Sequence, residues 1–462
     1  MTPSNVDVLV RQVMEKLHDK ANGDFGGSGI FADMNDAIQA CSRAQKEYTK
    51  LSLADRSRMI AAIRKVLYDN AEEFSRLAVE ETKMGNVHDK ILKNRLVADK
   101  TPGVEDLKSE AMTGDYGLTL VELSPFGVIG SITPTTNPTE TIFCNTIGML
   151  AAGNSVVFSP HPTAKNVSLK AIDLINRAII AEGAPPNLIT AVRNPTMEQT
   201  NVMINHPGIN MLVATGGPGV VKAVLASGKK AIGAGAGNPP VVIDETANIE
   251  KAALDIIKGC GFDNNIPCVC EKEALVVEQV ADYLIFCMTG SGIAHFIQDK
   301  ETIRRLERQL MSGDMPNKNF IGRSAQVIAE SIGLTVDPKV KVLAMETPFD
   351  HAFVQHELMM PVLPIVRVKD FEDAMRKAIE VEHGYHHTAI MHSRNVERLS
   401  ALAKAIQTTV FVKNAPGYAG LGVGGEGFTS FTIAGPTGEG LTSAKVFARK
   451  RRCVLADSFN IK

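Results

Sequence analysis

The chain has 462 residues, which is room for two or three domains with sizeable cores and excludes a single small binding module. Hydrophobic residues make up 44% and charged residues 22%, as in ordinary globular proteins. The 49 basic and 51 acidic residues give a net charge of -2, so no nucleic-acid partner is predicted. No apolar run approaches the roughly 20 residues of a membrane span, and no secretory signal precedes the body, which predicts a cytosolic protein without a membrane partner.

The first 20 residues have the pattern of a short amphipathic helix. Apolar residues recur at the i, i+3, i+4, i+7 spacing of one helical face: Val6, Leu9, Val10, Val13, Met14 and Leu17. Residues 21–32 are rich in glycine and predict a flexible linker. A helix tethered in this way has two interpretations. It docks on its own subunit, or its apolar face binds a groove of a partner.

The body of the chain begins with helices and continues with alternating strands and helices. Residues 33–100 have helical spacing, and residues 108–125 alternate with the period of a hairpin strand. Short apolar strands then alternate with helical stretches, with strands predicted at 127–132, 155–158, 188–192 and 211–214. A second alternating unit begins near Val241. This βαβ order predicts an α/β fold of two units with parallel sheets, divided within the glycine-rich segment 233–238.

Three glycine-rich segments have the composition of nucleotide-binding loops, but two lack the required context. Segment 233–238 is followed by two prolines and a strand, whereas a dinucleotide fingerprint opens a helix. Segment 435–440 is followed by Leu441, where a phosphate loop needs lysine. Segment 215–219 lies between a strand and a helix, so its backbone N–H groups suit a pyrophosphate; a tight strand-to-helix turn is the alternative.

The seven cysteines of a cytosolic chain predict free thiols, most of them inert core residues. Cys268 differs, because the polar segment 263–265 and Pro267 place it on a loop, which suits a partly exposed nucleophile. A core thiol is the alternative. Cys270 and the histidines within 383–392 lack paired metal-ligand spacing, so no metal site is predicted.

Five motifs resemble those of the aldehyde dehydrogenase superfamily in both order and spacing, and they cover nearly the whole chain from about residue 30. They are Pro134-Thr135-Thr136-Asn137-Pro138, Thr215-Gly216-Gly217, Gly235-Ala236-Gly237-Asn238-Pro239-Pro240, Asn264-Asn265-Ile266-Pro267-Cys268 and Glu357-Leu358-Met359-Met360-Pro361-Val362. The match is closest to the CoA-acylating branch, and within it to the propionaldehyde dehydrogenases of bacterial microcompartments, through segments 262–272 and 386–393. The resemblance implies a Rossmann-like cofactor domain, an α/β catalytic domain and a small β oligomerisation element.

The resemblance also implies roles for individual residues. Cys268 matches the catalytic nucleophile, and Asn137 matches the side-chain donor to the oxyanion. Glu357 matches the glutamate that holds the nicotinamide ribose hydroxyls. The other residues implied in cofactor binding are Thr133, Pro134, Ser159, His161, Thr215, Gly216 and Gly217.

Two departures separate the chain from hydrolytic members of the superfamily. Ala234 stands where they carry a glutamate, and Ser159 stands where they carry a lysine near the adenosine ribose. Discharge of a thioester by water needs a general base worth about 10²–10⁴-fold, which Ala234 cannot supply. A thiol is nucleophilic without a strong base, so CoA is the predicted acyl acceptor. Together with Ala234, the resemblance therefore implies oxidation of propanal with NAD and CoA to propanoyl-CoA. A covalent intermediate separates the two half reactions, so a ping-pong mechanism is expected in which NADH leaves before CoA enters.

Domains and partners follow from the same resemblance. The implied domains are an encapsulation helix (1–20), a linker (21–32), an NAD- and CoA-binding domain (33–107 and 126–235), a catalytic thiol domain (236–442) and an oligomerisation element (108–125 and 443–462). The head helix is expected to bind a shell protein and direct the enzyme into the lumen of a cytoplasmic bacterial microcompartment, as a homodimer or homotetramer. Three alternatives stay open: an acetaldehyde to acetyl-CoA dehydrogenase of an ethanolamine-type compartment, a hydrolytic dehydrogenase, and a catalytically inactive shell-binding scaffold.

Overall fold

The structure is a computed structural model that describes residues 29–461. The predicted head helix, residues 1–20, lies outside the described residues. The prediction of a flexible linker over residues 21–32 is wrong for its last part. Ile30–Phe31 form strand β1, which pairs in parallel with the strand that contains Ala191 and Val192. Two apolar side chains and their backbone groups gain burial and hydrogen bonds at the sheet edge, which a linker in water does not offer.

The helical region folds into four helices: α1 (Met34–Tyr48), α2 (Leu53–Asp69), α3 (Ala71–Thr82) and α4 (Val87–Lys100). Side chains of Asp33, Ser52 and Asn86 accept hydrogen bonds from the first free N–H groups of α1, α2 and α4. The predicted apolar faces are confirmed, because their residues are buried: Ala37, Cys41, Ala44, Met59, Ile60, Ile63 and Leu67.

A hairpin separates these helices from the first sheet. Its strands β2 (Glu110–Gly114) and β3 (Gly117–Pro125) are antiparallel. The last strand of the described chain, Ala448–Ala456, pairs with β3 over all nine of its residues. The hairpin and the C-terminal strand therefore form one three-stranded sheet, although more than 300 residues separate them, and its C-terminal strand is mostly exposed.

The first large sheet has six parallel strands in the order β1-β6-β5-β4-β7-β8. Its further elements in chain order are β4 (Val128–Thr133), α5 (Pro138–Ala151), β5 (Ser155–Pro160), α6 (Lys165–Ala181), β6 (Ile189–Val192), α7 (Met197–Asn205), β7 (Met211–Thr215), α8 (Pro218–Leu225) and β8 (Lys230–Ala234). The chain moves outward from β4 in one direction and from β7 in the other. The carboxyl ends of β4 and β7 thus form the switch point at which open α/β sheets bind ligands.

The second large sheet has seven parallel strands in the order β11-β14-β15-β10-β9-β16-β17. Its elements, with a short antiparallel pair β12-β13 between them, are β9 (Pro240–Ile243), α9 (Ile249–Cys260), β10 (Glu273–Val277), α10 (Glu278–Gly290), β11 (Ala294–Ile297), α11 (Lys300–Leu310), β12 (Met311–Ser312), β13 (Met315–Pro316), α12 (Ala325–Ser331), β14 (Val342–Glu346), α13 (Ala352–Gln355), β15 (Val362–Val368), α14 (Phe371–Val381), β16 (Thr388–His392), α15 (Val396–Ile406) and β17 (Val410–Lys413). The predicted α/β class with parallel sheets is confirmed.

The chain returns to the first unit after β17. Strands β18 (Ile433–Ala434) and β19 (Gly440–Leu441) form a short hairpin, and Ala448–Ala456 is β20. Leu421, Phe431 and β18 belong to the core that contains β4, β5 and β7. The prediction placed all of residues 236–442 in the thiol domain. The structure differs, because the apolar side chains of Leu421, Phe431 and β18 are buried against the first sheet and its helices.

No helix within residues 29–461 is long and apolar enough to cross a membrane. Within the same range, no group of three or more His, Cys, Asp and Glu side chains is arranged to hold a metal ion.

Candidate active site

Cys268 lies on the turn between α9 and β10. All seven cysteines are free; Cys268 and Cys287 are half-buried, Cys453 is exposed, and the remaining four are buried. The loop position predicted for Cys268 is confirmed. Burial raises the pKa of the Cys268 thiol to about 12, and the Glu357 carboxylate adds to this, whereas the charges of Lys272 and Lys93 lower it. The resting thiol is therefore protonated at neutral pH.

The polar segment before Cys268 forms an unusual turn. Asp263, Asn264 and Asn265 have φ angles of 46°, 56° and 66°, the left-handed region that Asn and Asp tolerate better than other residues with a side chain. The Asn264 side-chain amide donates to two backbone carbonyls of neighbouring loops, at 3.1 and 2.9 Å. The Asn265 amide donates to the carbonyls of Cys260 and Glu271, both at 2.9 Å. Side-chain hydrogen bonds thus hold the turn that carries the thiol.

A cluster of four buried charges lies between the two units. Lys93 Nζ on α4 is 2.7 Å from Asp263 Oδ2 and 2.9 Å from Glu140 Oε1 on α5. Lys90 Nζ is 3.0 Å from the same Asp263 oxygen. All four side chains have an exposed fraction of 1% or less. Because two positive charges face two negative ones, the cluster is neutral, which lowers the cost of its burial.

The two lysines of this cluster differ in their electrostatic surroundings. Burial opposes the charge on Lys93, but the carboxylates of Asp263 and Glu140 outweigh it and raise its pKa above the ordinary value. Burial lowers the pKa of Lys90, because Asp263 only partly compensates and Lys93 repels it. Lys93 is therefore the more firmly charged of the two.

Asn137 stands at the N-terminus of α5 and its side chain does not cap that helix. Its Oδ1 accepts a hydrogen bond from Lys93 Nζ at 2.5 Å. Among the described residues, its Nδ2 makes a single contact, at 3.3 Å, with Thr136 Oγ1. The backbone carbonyl of Asn137 accepts from the N–H and the hydroxyl of Thr141, which fixes the main chain. The structure thus brings the predicted oxyanion donor to the same lysine whose charge acts on Cys268.

Glu357 lies on the loop before β15 and contacts two other parts of the site. Its Oε2 accepts from the Gly237 N–H at 3.3 Å, and its Oε1 is 3.9 Å from Lys272 Nζ. Lys272 is buried and donates to Asn265 Oδ1 at 2.7 Å, which links it to the turn before Cys268. Burial raises the pKa of Glu357, and Lys272 counteracts this effect.

His387 is buried next to Gly237, where a methyl group on the glycine would come within 2.8 Å of the ring. Its Nδ1 lies 2.8 Å from Thr388 Oγ1, and its Nε2 has no hydrogen-bond partner in residues 29–461. Burial lowers the pKa of His387 to about 4, so the ring is neutral at physiological pH.

Strand order explains why these residues meet. Glu357, Cys268, Gly237 and His387 each precede the start of a strand, respectively β15, β10, β9 and β16. These four strands are consecutive neighbours in the second sheet. Because the strands are parallel, their amino ends all lie at the same end of the sheet. The short segment 235–239 runs from the carboxyl end of β8 directly to this end of the second sheet. The site therefore lies where the two large sheets meet.

The predicted cofactor residues lie at the carboxyl ends of strands in the first sheet. Thr133 ends β4, and its buried hydroxyl has no hydrogen-bond partner within the described residues. Thr215 ends β7, and a Cβ added to Gly217 at the start of α8 would meet no atom within 4 Å. An unpartnered hydroxyl and an open helix N-terminus at the switch point fit a dinucleotide pyrophosphate.

The remaining predicted cofactor residues lie beside this crevice. Pro134 follows Thr133 and is half-buried. Ser159 is buried, and its hydroxyl is paired at 2.8 Å with that of Thr200. His161 is exposed and its Nδ1 lies 2.8 Å from Thr163 Oγ1. Both side chains thus have an internal partner, but Ser159 is buried whereas His161 is exposed.

A family model described as "Aldehyde dehydrogenase family" matches residues 28–289. A curated propanal dehydrogenase (CoA-propanoylating) of Citrobacter freundii is 48% identical over 463 aligned residues, which cover 100% of this chain and 100% of the relative. The chain belongs to the aldehyde dehydrogenase family.

Solved structures of similar proteins agree with this assignment. The propionaldehyde dehydrogenase of Rhodopseudomonas palustris, with bound CoA and an acylated cysteine, is 58% identical, with a TM-score of 0.93 and coverage of 94% of this chain and 99% of that one. The propionaldehyde dehydrogenase of the Clostridium phytofermentans fucose utilisation bacterial microcompartment is 52% identical, with a TM-score of 0.93 and coverage of 94% and 100%. The family predicted from the five motifs is confirmed.

Several residues of the site in this aldehyde dehydrogenase have no role in the sequence prediction: Lys93, Glu140, Asp263, Lys272 and His387. One signal for the first of them was present, because Lys90 and Lys93 are three residues apart and share a face of α4 with buried Leu96 and Val97. Lysines on an apolar helix face require buried partners. The other contacts join distant segments, and their spacing carries no signal.

The raised pKa of Cys268 predicts how alkylation by iodoacetamide depends on pH. Only the thiolate reacts, and below a pKa of about 12 its fraction rises about tenfold for each pH unit. The rate at Cys268, followed by mass spectrometry of its peptide, should climb through pH 7, 8 and 9 without reaching a plateau. Exposed Cys453 is the internal control, and a plateau for Cys268 near pH 8 would contradict the raised pKa.

Proposed function

We propose that this aldehyde dehydrogenase oxidises a short aliphatic aldehyde, propanal above others, with NAD and CoA to propanoyl-CoA and NADH. The observation that carries the proposal is that the chain has a half-buried cysteine, Cys268, but no basic group at position 234. Ala234 stands there, at the end of β8, and its side chain is buried. The name of the Citrobacter freundii relative and the CoA-bound, acylated Rhodopseudomonas palustris structure support the same reaction.

In the first half reaction, the Cys268 thiol releases its proton to the solvent, and the resulting thiolate attacks the aldehyde carbon. A C–S bond forms and the carbonyl electron pair moves to oxygen. Asn137 Nδ2 and the backbone N–H of Cys268 donate hydrogen bonds to this oxyanion, and one such donor lowers the barrier by roughly 2.7–4 kcal/mol. The electron pair of the oxyanion then re-forms the C=O bond, which leaves Cys268 as a thioester, and bound NAD would supply the acceptor for the hydride that departs from the same carbon.

In the second half reaction, the thiol group of CoA loses its proton and its sulfur attacks the thioester carbon. The bond to Cys268 breaks, and Cys268 leaves as a thiolate that takes up a proton. Water is not activated at position 234, because alanine has no base. A covalent intermediate separates the two halves, so we expect ping-pong kinetics with NADH leaving before CoA enters. A requirement for CoA before any NADH burst would contradict this order.

The cofactor is held, in this proposal, by residues at the carboxyl ends of the first sheet and by Glu357. The backbone N–H groups of Thr215, Gly216 and Gly217 face the pyrophosphate, with Thr133, Pro134, Ser159 and His161 around the dinucleotide. Glu357 accepts hydrogen bonds from the nicotinamide ribose hydroxyls. Its contact with Lys272 holds the carboxylate close to the turn that carries Cys268.

A coupled assay tests the reaction. NAD reduction is measured for aldehydes of two, three and four carbons, with and without CoA, on wild type and on Cys268→Ser. We expect the highest kcat/KM with propanal and continued turnover only with CoA. One methylene is worth about 1–3 kcal/mol in a small pocket, so acetaldehyde is expected to react more slowly.

Each other outcome of this assay identifies a competing function. Preference for acetaldehyde would assign the chain to an acetaldehyde to acetyl-CoA dehydrogenase. Turnover that does not depend on CoA would mean a hydrolytic enzyme, and absence of NADH formation would mean an inactive scaffold.

We further propose that residues 1–20 direct the enzyme into the lumen of a bacterial microcompartment by binding a shell protein. These residues lie outside the described range, and the support is their amphipathic pattern together with the microcompartment source of the Clostridium phytofermentans relative. Deletion of residues 1–20 should leave kcat and KM unchanged and abolish co-purification with shell. Lost activity with retained shell binding would contradict this role.

The three-stranded sheet of β2, β3 and β20 is proposed as the contact of a homodimer or homotetramer. Its C-terminal strand is long, fully paired with β3 on one side and exposed, which leaves the opposite edge open. Truncation after residue 442 should shift the sedimentation coefficient to that of a monomer, and an unchanged oligomer would contradict the proposal.

A further inference from the structure

The proposed reaction assigns no role to Lys93, a fully buried lysine within hydrogen-bond distance of Asn137. We propose that Lys93 is a positioning residue, which holds the Asn137 amide in the one orientation that presents Nδ2 to the oxyanion. This inference rests on the proposed function of Asn137. It concerns a contact between α4 and the start of α5, so it depends on neither the cofactor nor CoA.

The geometry leaves only one arrangement of the amide. A lysine ammonium has three N–H donors and no acceptor, and Lys93 Nζ has three oxygen neighbours. They are Asn137 Oδ1 at 2.5 Å, Asp263 Oδ2 at 2.7 Å and Glu140 Oε1 at 2.9 Å. If the amide were rotated by half a turn, its NH₂ group would point at the ammonium, and donor would face donor. The oxygen therefore faces Lys93, and Nδ2 faces away from it.

The orientation leaves Nδ2 with spare donor capacity. An amide nitrogen has two N–H groups, and the one contact that Nδ2 makes within residues 29–461 is the 3.3 Å contact with Thr136 Oγ1. Near Asn137, the backbone is fixed by Thr141, and α5 begins with Pro138 directly after it. Withdrawal of electron density from Oδ1 by an ammonium in a dry environment also strengthens the N–H groups as donors.

Two carboxylates keep Lys93 charged and in place. Asp263 belongs to the left-handed turn five residues before Cys268, and Glu140 lies on α5 one turn after Asn137. Lys93 on α4 thus contacts both the start of α5, through Asn137 and Glu140, and the turn before Cys268, through Asp263. A shift of either segment would break one of its three contacts, so the lysine also fixes the distance between the two reacting parts of the site.

Lys90 offers a matched control for this role. It lies one turn earlier on α4, is equally buried and contacts the same Asp263 oxygen at 3.0 Å. Its remaining hydrogen bond goes to the Thr136 backbone carbonyl at 3.2 Å and not to the Asn137 amide. Loss of Lys90 removes the same charge from the same cluster and leaves the amide contact of Lys93 intact.

The test is a double-mutant cycle on the full chain. The rate of the NADH burst without CoA is measured for wild type, Lys93→Met, Asn137→Ala and the double variant. We expect Lys93→Met to slow the burst by about 10- to 100-fold in the wild-type background. In the Asn137→Ala background the same change should slow it less than about threefold, because the group it positions is absent.

Three further measurements separate positioning from loss of structure. Lys90→Met should slow the burst by no more than about threefold, although the two lysines are equally buried. Thermal midpoints are recorded for every variant. If Lys93→Met fails to fold, Lys93→Met combined with Glu140→Gln removes one positive and one negative charge together, and the cycle is repeated with it.

Two results would overturn the inference: equal effects of Lys93→Met in both Asn137 backgrounds, or an effect of Lys90→Met as large as that of Lys93→Met. Failure of the proposed function is distinct, because it appears as absence of NADH formation by the wild type.

Discussion

Replacement of Cys268 by alanine is expected to abolish NADH formation from every aldehyde, with or without CoA. Hydride leaves only after the carbonyl carbon has become tetrahedral, and without the sulfur the site has no nucleophile to make it so. Loss of a covalent nucleophile lowers turnover by about 10⁴-fold or more. The measurement is the rate of NADH formation at saturating propanal, NAD and CoA, together with the thermal midpoint to show that the variant is folded.

The matched control for this experiment is Cys287→Ser. Cys287 is the other half-buried thiol, and it lies on α10, packed against the core of the second sheet. We expect it to retain wild-type kinetics. Turnover of Cys268→Ala within about tenfold of the wild type would contradict the assignment of Cys268 as nucleophile.

Replacement of Asn137 by alanine is expected to lower kcat/KM for propanal by about 10²–10³-fold. The side chain of Asn137 does not cap α5, and its main-chain contacts with Thr141 do not involve the amide. The loss is therefore one of transition-state stabilisation, and kcat should fall more than KM rises. Steady-state kinetics with varied propanal at saturating NAD and CoA measure both constants.

Asn137→Asp tests the N–H donor separately from the oxygen that faces Lys93. A carboxylate retains an oxygen for Lys93 but offers no N–H to the oxyanion. The added charge is expected to lower the thermal midpoint, because the buried cluster is then no longer neutral, and the folded variant is expected to lose as much activity as Asn137→Ala. Less than about tenfold loss of kcat/KM in a folded Asn137→Asp would contradict the donor role.

Local pattern was sufficient for the elements of both units. Strands β4 to β7 are short apolar runs bounded by turn residues, and their predicted positions agree with the structure to within two residues. The faces of α1 and α2 follow from the 3.6-residue period. Cys268 on a loop was predicted because polar residues and proline precede it, and such residues act on the backbone within a few positions.

Long-range packing explains where the sequence prediction differed. β1 pairs with β6, about 160 residues away, so its strand character depends on a partner that its own two residues do not reveal. The segment around Phe431 and β18 was assigned to the second unit by position along the chain. Its apolar side chains are buried against the first unit instead.

The sequence by itself determined the α/β class and the helices and strands, which follow from residue type, period and local order. Its motifs also carried the family resemblance, which implies the roles proposed for Cys268, Asn137 and Glu357. The tertiary structure alone decided that β15, β10, β9 and β16 lie side by side, so that the loops that precede them meet at one end of the sheet. It also decided that Lys93 joins Asn137 to the turn of Cys268, because a contact between residues far apart in the chain exists only after both sheets have packed.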